Sequence, residues 1–141
     1  MINLSSGANT VNVILSDTAT LPTPVYIFLF VNANTQEKFM CSTSYTTYQD
    51  NIQQFTITVT ASPTWTSGEV ELSKKGSYDF YVYERANLTG LVYNTIVNSS
   101  LAEILTYFTS LVKSGKMEYD AADLTVNTYK NSATAVKAYG D

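Results

Sequence analysis

The chain contains no histidine among its 141 residues. This absence removes the commonest general base of enzymes, most zinc sites and every Ser-His-Asp triad. Cys41 is the single cysteine, which excludes an internal disulfide and a thiolate metal cluster, and we expect it to be buried in a strand. The six glycines are isolated, so no glycine-rich phosphate loop is present. The sequence therefore predicts a protein that is not an enzyme and that has no metal or cofactor.

Charge is also scarce. Only 14% of the residues are charged, and 8 Lys+Arg against 12 Asp+Glu give a formal net charge of −4. No basic stripe is available to neutralise a phosphate backbone, so we expect no nucleic-acid partner. The longest apolar run, residues 25–31, is too short to span a bilayer, and residues 1–10 lack the features of a secretion signal. We therefore expect no membrane partner and synthesis in a cytoplasm.

The acidic residues do not form a recognisable reaction centre. A glycosidase needs two facing carboxylates, but Asp50 and three glutamates are predicted in loops or at outward strand positions. Asp120 and Asp123 are not surrounded by the alternating oxygen ligands of a calcium loop, so we interpret them as a solvated end. The three glutamates are Glu69, Glu71 and Glu84.

The length of the chain suits one domain with a small appendage. A surface rich in Thr, Ser and Asn and poor in charge favours a permanent place in an assembly. We divide the chain into an N-terminal arm (1–9), a β-sandwich (10–119) and a C-terminal extension (120–141) that could contain a strand at 124–129.

Seven strands are predicted from apolar runs and alternation. Residues 25–31 (VYIFLFV) are apolar on both faces, so this strand is central or has a cover on its outer face. Residues 52–60 alternate and place Phe55, Ile57 and Val59 inward. The other predicted strands are 10–15, 36–42, 69–73, 78–84 and 116–120, with a polar loop at 44–51 and a turn at 63–68.

The stretch 70–84 (VELSKKGSYDFYVYE) has the pattern of a tyrosine corner. In this device a glycine, here Gly76, bends the chain between two sheets, and the hydroxyl of the following tyrosine, Tyr78, bonds a backbone group a few residues upstream. Phe80 and Val82 continue the inward parity. The alternative is an ordinary hairpin with a chance tyrosine. We interpret the pattern as an immunoglobulin-like antiparallel β-sandwich.

One amphipathic helix is predicted at about 99–113, before the closing strand. Its apolar residues recur at helical spacing, Ser100 and Glu103 match a capping box, and Ser114-Gly115 provides a stop. We expect its apolar stripe to pack on the outer face of residues 25–31 or to wait for another subunit.

The aromatic residues suggest a contact surface. Eleven tyrosines outnumber six phenylalanines, and tyrosine buries a ring while presenting a hydroxyl. Residues of this kind in loops or at outward positions often anchor interfaces, although edge-of-core packing is the alternative. Trp65 with Tyr45 and Tyr48 could also form an aromatic platform for a sugar. The candidate interface residues are Tyr45, Tyr48, Trp65, Tyr81 and Tyr83.

Four blocks, in this order, carry a family resemblance: residues 24–30 (PVYIFLF), 48–57 (YQDNIQQFTI), 68–72 (GEVEL) and 76–84 (GSYDFYVYE). They resemble small virion proteins of tailed phages that infect Bacteroidetes, including the crAss-like phages. Gly115-Lys116 would match the closing strand of that family. Two departures are the Asn51-Ile52-Gln53 sequence where the family has an arginine, and the helix, which resembles an insertion.

The resemblance implies an immunoglobulin-like auxiliary capsid protein, a decoration or cement protein on the virion surface. Its implied partners are the major capsid protein and neighbouring accessory subunits. A tail or connector component, or a carbohydrate-binding or adhesin module, are the alternatives.

Overall fold

The computed structural model describes residues 1–15, 21, 24–49 and 52–120, with the side chains of 46–49 left out. The described chain is mainly β, with two short α-helices and one 3-10 turn at Trp65–Ser67. The strands are β1 (Ile2–Ser5), β2 (Gly7–Ile14), β3 (Val25–Asn32), β4 (Lys38–Thr43), β5 (Tyr45–Gln49), β6 (Ile52–Val59), β7 (Glu69–Val70), β8 (Gly76–Arg85) and β9 (Ser110–Asp120). The helices are α1 (Tyr93–Val97) and α2 (Leu101–Leu105).

Two curled, mixed sheets form the architecture, which is consistent with the predicted β-sandwich. The first sheet has the strand order β1-β9-β8-β3-β4, and the second has the order β2-β6-β5, with β7 paired to β6. The pairs β1–β9 and β6–β7 are parallel, and the remaining pairs are antiparallel. The apolar strand predicted at 25–31 is β3, and it is central, because it lies between β8 and β4.

The inner core lies between the two sheets and follows the predicted alternation. From the second sheet, Phe55 and Ile57 are almost completely buried. From the first sheet, Phe28 meets Phe55 edge to face, with ring centroids 4.9 Å apart. Burying each such side chain contributes about 1.5–3 kcal/mol, so this layer supplies much of the driving force for folding. Other inner-core residues are Val11, Val13, Tyr26, Phe30, Tyr78, Phe80, Val82 and Met117.

The outer face of the first sheet is covered by residues 88–108, which we call the helical cover. Ile27 and Leu29 of β3 point away from the inner core and pack in a second hydrophobic cluster with Ile96 and Ile104 of the helical cover. Phe108 completes this outer core. The strand is therefore both central in its sheet and covered on its outer face, the two alternatives that the sequence left open.

The predicted helix at 99–113 is wrong in its extent. Only Leu101–Leu105 is helical after Ser100, although the capping box of Ser100 and Glu103 is present. The chain then enters β9 at Ser110, so that Phe108 packs in the outer core and Val112 in the inner core. One straight helix on the outside of the sheet could not place both side chains in this way.

Ser114-Gly115, predicted as a helix stop, lies inside β9. Gly115 pairs with Phe80, and a Cβ added to Gly115 would lie 2.7 Å from Cε2 of the Phe80 ring. This glycine therefore serves close packing in the sheet.

The crossing between sheets matches the predicted corner. β7 belongs to the second sheet and β8 to the first, and Gly76, the first residue of β8, has a φ of 131°, which disfavours any residue with a Cβ. The Tyr78 hydroxyl donates to the carbonyl oxygen of Lys74, and the Tyr78 ring is 1% exposed. The tyrosine thus ties its own strand to the bend before it.

Two segments predicted as irregular are strands. In the predicted arm, 1–9, β1 pairs in parallel with the end of β9 and buries Ile2 and Leu4, and residues 7–9 begin β2. The loop predicted at 44–51 contains β5, which pairs with β6. β1 forms by pairing with the distant β9, whereas β5 forms a local hairpin with the next strand, β6, and the polar composition of both segments does not reveal these pairings. The strand considered at 124–129 lies outside the described residues.

Candidate functional site

Of the four predicted interface residues whose side chains the structure describes, Trp65, Tyr81 and Tyr83 pack in or against the outer core, whereas Tyr45 packs against the inner core. Tyr81 and Tyr83 lie on β8, Trp65 lies in the 3-10 turn and Tyr45 lies on β5. The Tyr48 side chain is outside the described part of the structure. Each therefore has to be considered in its own surroundings.

Tyr83 is buried, with 3% of its surface exposed. Its parity places it away from the inner core, as predicted, but the helical cover lies over it, and its ring stacks on Phe108 with centroids 4.8 Å apart. Desolvation, with a smaller effect of Tyr81, raises the pKa of Tyr83 to about 12. The prediction that Tyr83 contacts another molecule is therefore wrong for the structure with its cover in place.

Tyr81 is half-buried and stacks beside Tyr83. Near it, Lys116 Nζ lies 2.6 Å from Asp79 Oδ1, and this hydrogen bond raises the pKa of Lys116. Such an exposed pair adds little to stability. Tyr81 is therefore partly accessible to solvent, near the Lys116–Asp79 pair.

Tyr45 closes one end of the inner core. Its ring meets Tyr26 edge to face at 5.3 Å and lies 5.8 Å from Phe55. It is half-buried, so it combines edge-of-core packing with limited access from outside.

Trp65 lies in an aromatic groove with Tyr93 of α1, at a centroid distance of 6.0 Å and an interplanar angle of 48°. The groove has a volume of about 270 Å³. Tyr45 lines a different groove, so the predicted platform of Trp65 with Tyr45 does not form. The residues that line the aromatic groove are Lys38, Phe39, Pro63, Trp65, Glu71 and Tyr93.

Exposed apolar side chains are concentrated in the helical cover and at the start of β9. Of the seven large hydrophobic residues that are exposed in the described chain, five lie within 92–111. Glu103 is the one charged residue in that range, and its carboxylate accepts from the Ser100 backbone N–H in the capping box. We call this surface the apolar band: Val92, Leu101, Leu105, Tyr107 and Leu111.

The apolar band was only partly foreseen from the sequence. The sequence predicts that the apolar stripe, which includes Leu101 and Leu105, faces the sheet or another subunit; α2 turns Ile104 inward and leaves these two leucines exposed. The signal was the excess of apolar residues in 101–112, which is more than one helix face can bury.

Glu84 is a buried carboxylate, so the prediction that it lies in a loop or at an outward strand position is wrong. It is 0% exposed, Leu21 N–H donates to its Oε1 at 3.0 Å, and the Ser110 hydroxyl donates to Oε2. Glu84 has the same strand parity as the inward residues Tyr78, Phe80 and Val82. Glu84 fixes Leu21 and the start of β9 to β8, which is a structural role. Asp50 and Asp123 lie outside the described residues.

The remaining candidates for reactive chemistry are the Cys41 thiol and side chains that could hold a metal ion. Cys41 is buried as predicted, and desolvation raises its pKa to about 12, so its thiol is not a nucleophile at neutral pH. Across residues 1–15, 21, 24–49 and 52–120, no group of three or more Cys, Asp or Glu side chains could hold a metal ion. None of the helices in these ranges has the length and apolarity to cross a membrane.

Comparison with known proteins gave no relatives. No protein-family model, no curated protein and no solved structure matches this chain.

Proposed function

We propose that this chain is a non-enzymatic structural protein of a phage virion, an auxiliary capsid protein that decorates or cements the head. Its partners would be major capsid subunits and neighbouring accessory subunits, and its site would be a contact surface without bound cofactor. The protein would act at the capsid surface after synthesis in the host cytoplasm.

The strands β3 and β5–β8, which we call the framework strands, support this proposal. The blocks that carry the family resemblance, 24–30, 48–57, 68–72 and 76–84, coincide with β3, β5–β6, β7 and β8. The Tyr78–Lys74 corner adds the feature expected of an immunoglobulin-like sandwich, which is the finer fold we propose. Sandwiches of this type serve many functions, so the fold alone does not decide the role.

The observation that carries the proposal is the apolar band. Exposed apolar surface that is concentrated in one segment is typical of a protein contact, because water covers it at a cost in free energy. Leu105 and Leu111 are 45% and 43% exposed, and Val92 is 57% exposed. A partner that covers them would gain hydrophobic stabilisation that depends little on salt.

Residues 99–108 of the helical cover also belong to the segment that resembles an insertion relative to the family pattern. The framework strands would be common to members of that family, whereas an inserted segment would give this chain a contact of its own. Repetition of such a contact over a symmetric shell raises the effective concentration, so that each single contact can be weak.

Virion loading of a contact variant tests the proposal. Leu101→Ser combined with Leu105→Ser removes two members of the apolar band, and Ala102→Ser is the matched control, because Ala102 is exposed on the same helix. We expect the double variant to keep its melting temperature and to lose most of its copies per particle, while the control loads normally. Normal loading of the double variant would contradict the proposed contact.

Copy number separates the neighbouring alternative. A tail or connector component is present in far fewer copies than a capsid accessory protein, so quantitative mass spectrometry of purified particles distinguishes the two. We expect a copy number of the same order as that of the major capsid protein.

A further inference from the structure

The aromatic groove is assembled from parts of the chain that are distant in sequence. β4 supplies Lys38 and Phe39, the turn before the 3-10 helix supplies Pro63, and Glu71 follows β7. Trp65 and Tyr93 form two aromatic walls. Convergence of apolar and polar side chains from several elements is typical of a ligand site.

The angle between the two walls restricts the ligand. At 48° and 6.0 Å, the Trp65 and Tyr93 rings are neither parallel nor far enough apart to enclose a flat base between them. A puckered ring with C–H groups on its faces can contact both walls, because aromatic faces carry partial negative charge and attract the positive ends of C–H bonds.

The rim of the groove carries a hydrogen-bond donor and a hydrogen-bond acceptor. Lys38 can donate to a ligand and Glu71 can accept from one. Neither side chain belongs to an ion pair among the residues that the structure describes. Tyr93 Oη accepts from Met40 N–H at 3.3 Å, which leaves the Tyr93 hydroxyl proton available. Desolvation raises the pKa of Tyr93, so this proton is retained at neutral pH. Opposite charges on the rim favour a ligand with no net charge that both donates and accepts hydrogen bonds.

We propose that the aromatic groove binds one ring of a neutral saccharide, with its C–H face against Trp65 and Tyr93 and its hydroxyl groups toward Lys38 and Glu71. Each sugar hydroxyl can donate and accept, which matches this pairing of polar groups. None of the residues that line the groove belongs to the apolar band, although Tyr93 directly follows Val92, and the inference does not depend on the capsid role.

Trp65 and Tyr93 also stabilise the fold, so variants of these two residues would not test binding alone. Both pack against the outer core, and Tyr93 bonds the backbone of the edge strand β4, so an alanine at either position would combine lost binding with lost stability. Rim variants avoid the difficulty, because Glu71 is exposed and Lys38 is half-buried.

Trp65 is the single tryptophan of the chain, so its fluorescence reports directly on the groove. The full chain is titrated with neutral oligosaccharides of glucose, galactose, mannose and N-acetylglucosamine at up to millimolar concentration. We expect a saturable change in Trp65 emission with at least one of these sugars.

Rim variants then locate the binding. We expect Lys38→Met and Glu71→Gln each to weaken binding about tenfold, the effect of removing one hydrogen bond to a charged group. Lys113→Met and Asp120→Asn, which change charges on β9 outside the groove, are the matched controls and should bind as the unmodified chain does. Tyr45→Phe should also bind normally.

Two outcomes would overturn the inference. They are no saturable change with any of the four sugar types, or binding that both rim variants leave intact. Virion loading of Glu71→Gln should stay normal, so a failure of the saccharide site is distinguishable from a failure of the proposed capsid role.

Discussion

The two faces of β3 are both buried, but by different kinds of structure. On the inner face, Phe28 meets the second sheet, whose strand β6 is paired with β2 over eight residues. On the outer face, Ile27 and Leu29 meet a cover whose two helices have five residues each. One face is thus covered by hydrogen-bonded strands and the other by short helices.

The inner core and the helical cover therefore differ in rigidity. Helices of this length are not stable in isolation, so α1 and α2 depend on packing of Ile96 and Ile104 against the first sheet. The inner core is held by ladders that join distant parts of the chain as well as by packing. We therefore expect the helical cover to open at a lower free energy than the sandwich.

The largest test of this comparison uses two isoleucines of equal burial. Ile57 in the inner core and Ile104 in the outer core are both 0% exposed. We expect Ile57→Ala to lower the free energy of unfolding by about 4 kcal/mol and Ile104→Ala by about 2 kcal/mol, because the short helices can collapse into the cavity. Urea unfolding measures both. Equal losses would remove the distinction between the two cores.

A smaller effect is expected where β9 leaves the cover and joins the sheet. Gly115→Ala places a Cβ against the Phe80 ring, which overpacks the inner core and should cost about 1–3 kcal/mol. The neighbouring Ser114→Ala is the control, since Ser114 is exposed. Denaturant unfolding measures both variants, and equal stability of Gly115→Ala and Ser114→Ala would contradict the close packing of residue 115 against Phe80.

Alkaline pH compares one tyrosine on each face. Desolvation raises the pKa of Tyr26 on the inner face and of Tyr83 on the outer face from 10.0 to about 12. The unfolded chain therefore loses these protons first, so the stability that the neutral rings provide is complete below pH 10.0 and is lost as the pH approaches about 12.

Replacing one of these rings should flatten this pH dependence. We expect Tyr83→Phe to show a shallower loss of stability across that window than the unmodified chain, and exposed Tyr107→Phe to leave the loss unchanged. If Tyr83→Phe and the unmodified chain lost stability identically with pH, the helical cover would not shield Tyr83 from solvent.

The smallest effect is expected at the corner that begins β8. Tyr78→Phe leaves the Lys74 carbonyl without its donor and should cost about 1 kcal/mol. No change at all in thermal unfolding would show that the hydroxyl is not needed for the bend. Tyr107→Phe again serves as the control.

The inner core could be predicted from the sequence because it obeys a period of two. Phe55, Ile57 and Val59, together with Tyr78 and its inward neighbours, all lie where alternation placed them. Glu84 has the same inward parity in β8, but a charged residue is normally expected at the surface. The partners that make its burial tolerable come from Leu21 and Ser110, which are far away in sequence.

The outer face could be predicted only in outline. The need for a cover followed from an apolar strand, but its extent did not, because the spacing of apolar residues in 101–112 fits a helix and a strand start equally well. Pairing of β9 with β8 decides between them, and that pairing is non-local. The burial of Tyr83 and the exposure of the apolar band both follow from that decision. The division of the chain at residues 10 and 119 stays a prediction.

Electron cryomicroscopy of intact particles that carry this chain is the decisive test of the proposed capsid role. We expect two-layered density for this protein on the head, with residues 92–111 against a major capsid subunit. Heads that lack this density, or density in which the apolar band faces solvent while another surface makes the contact, would contradict it.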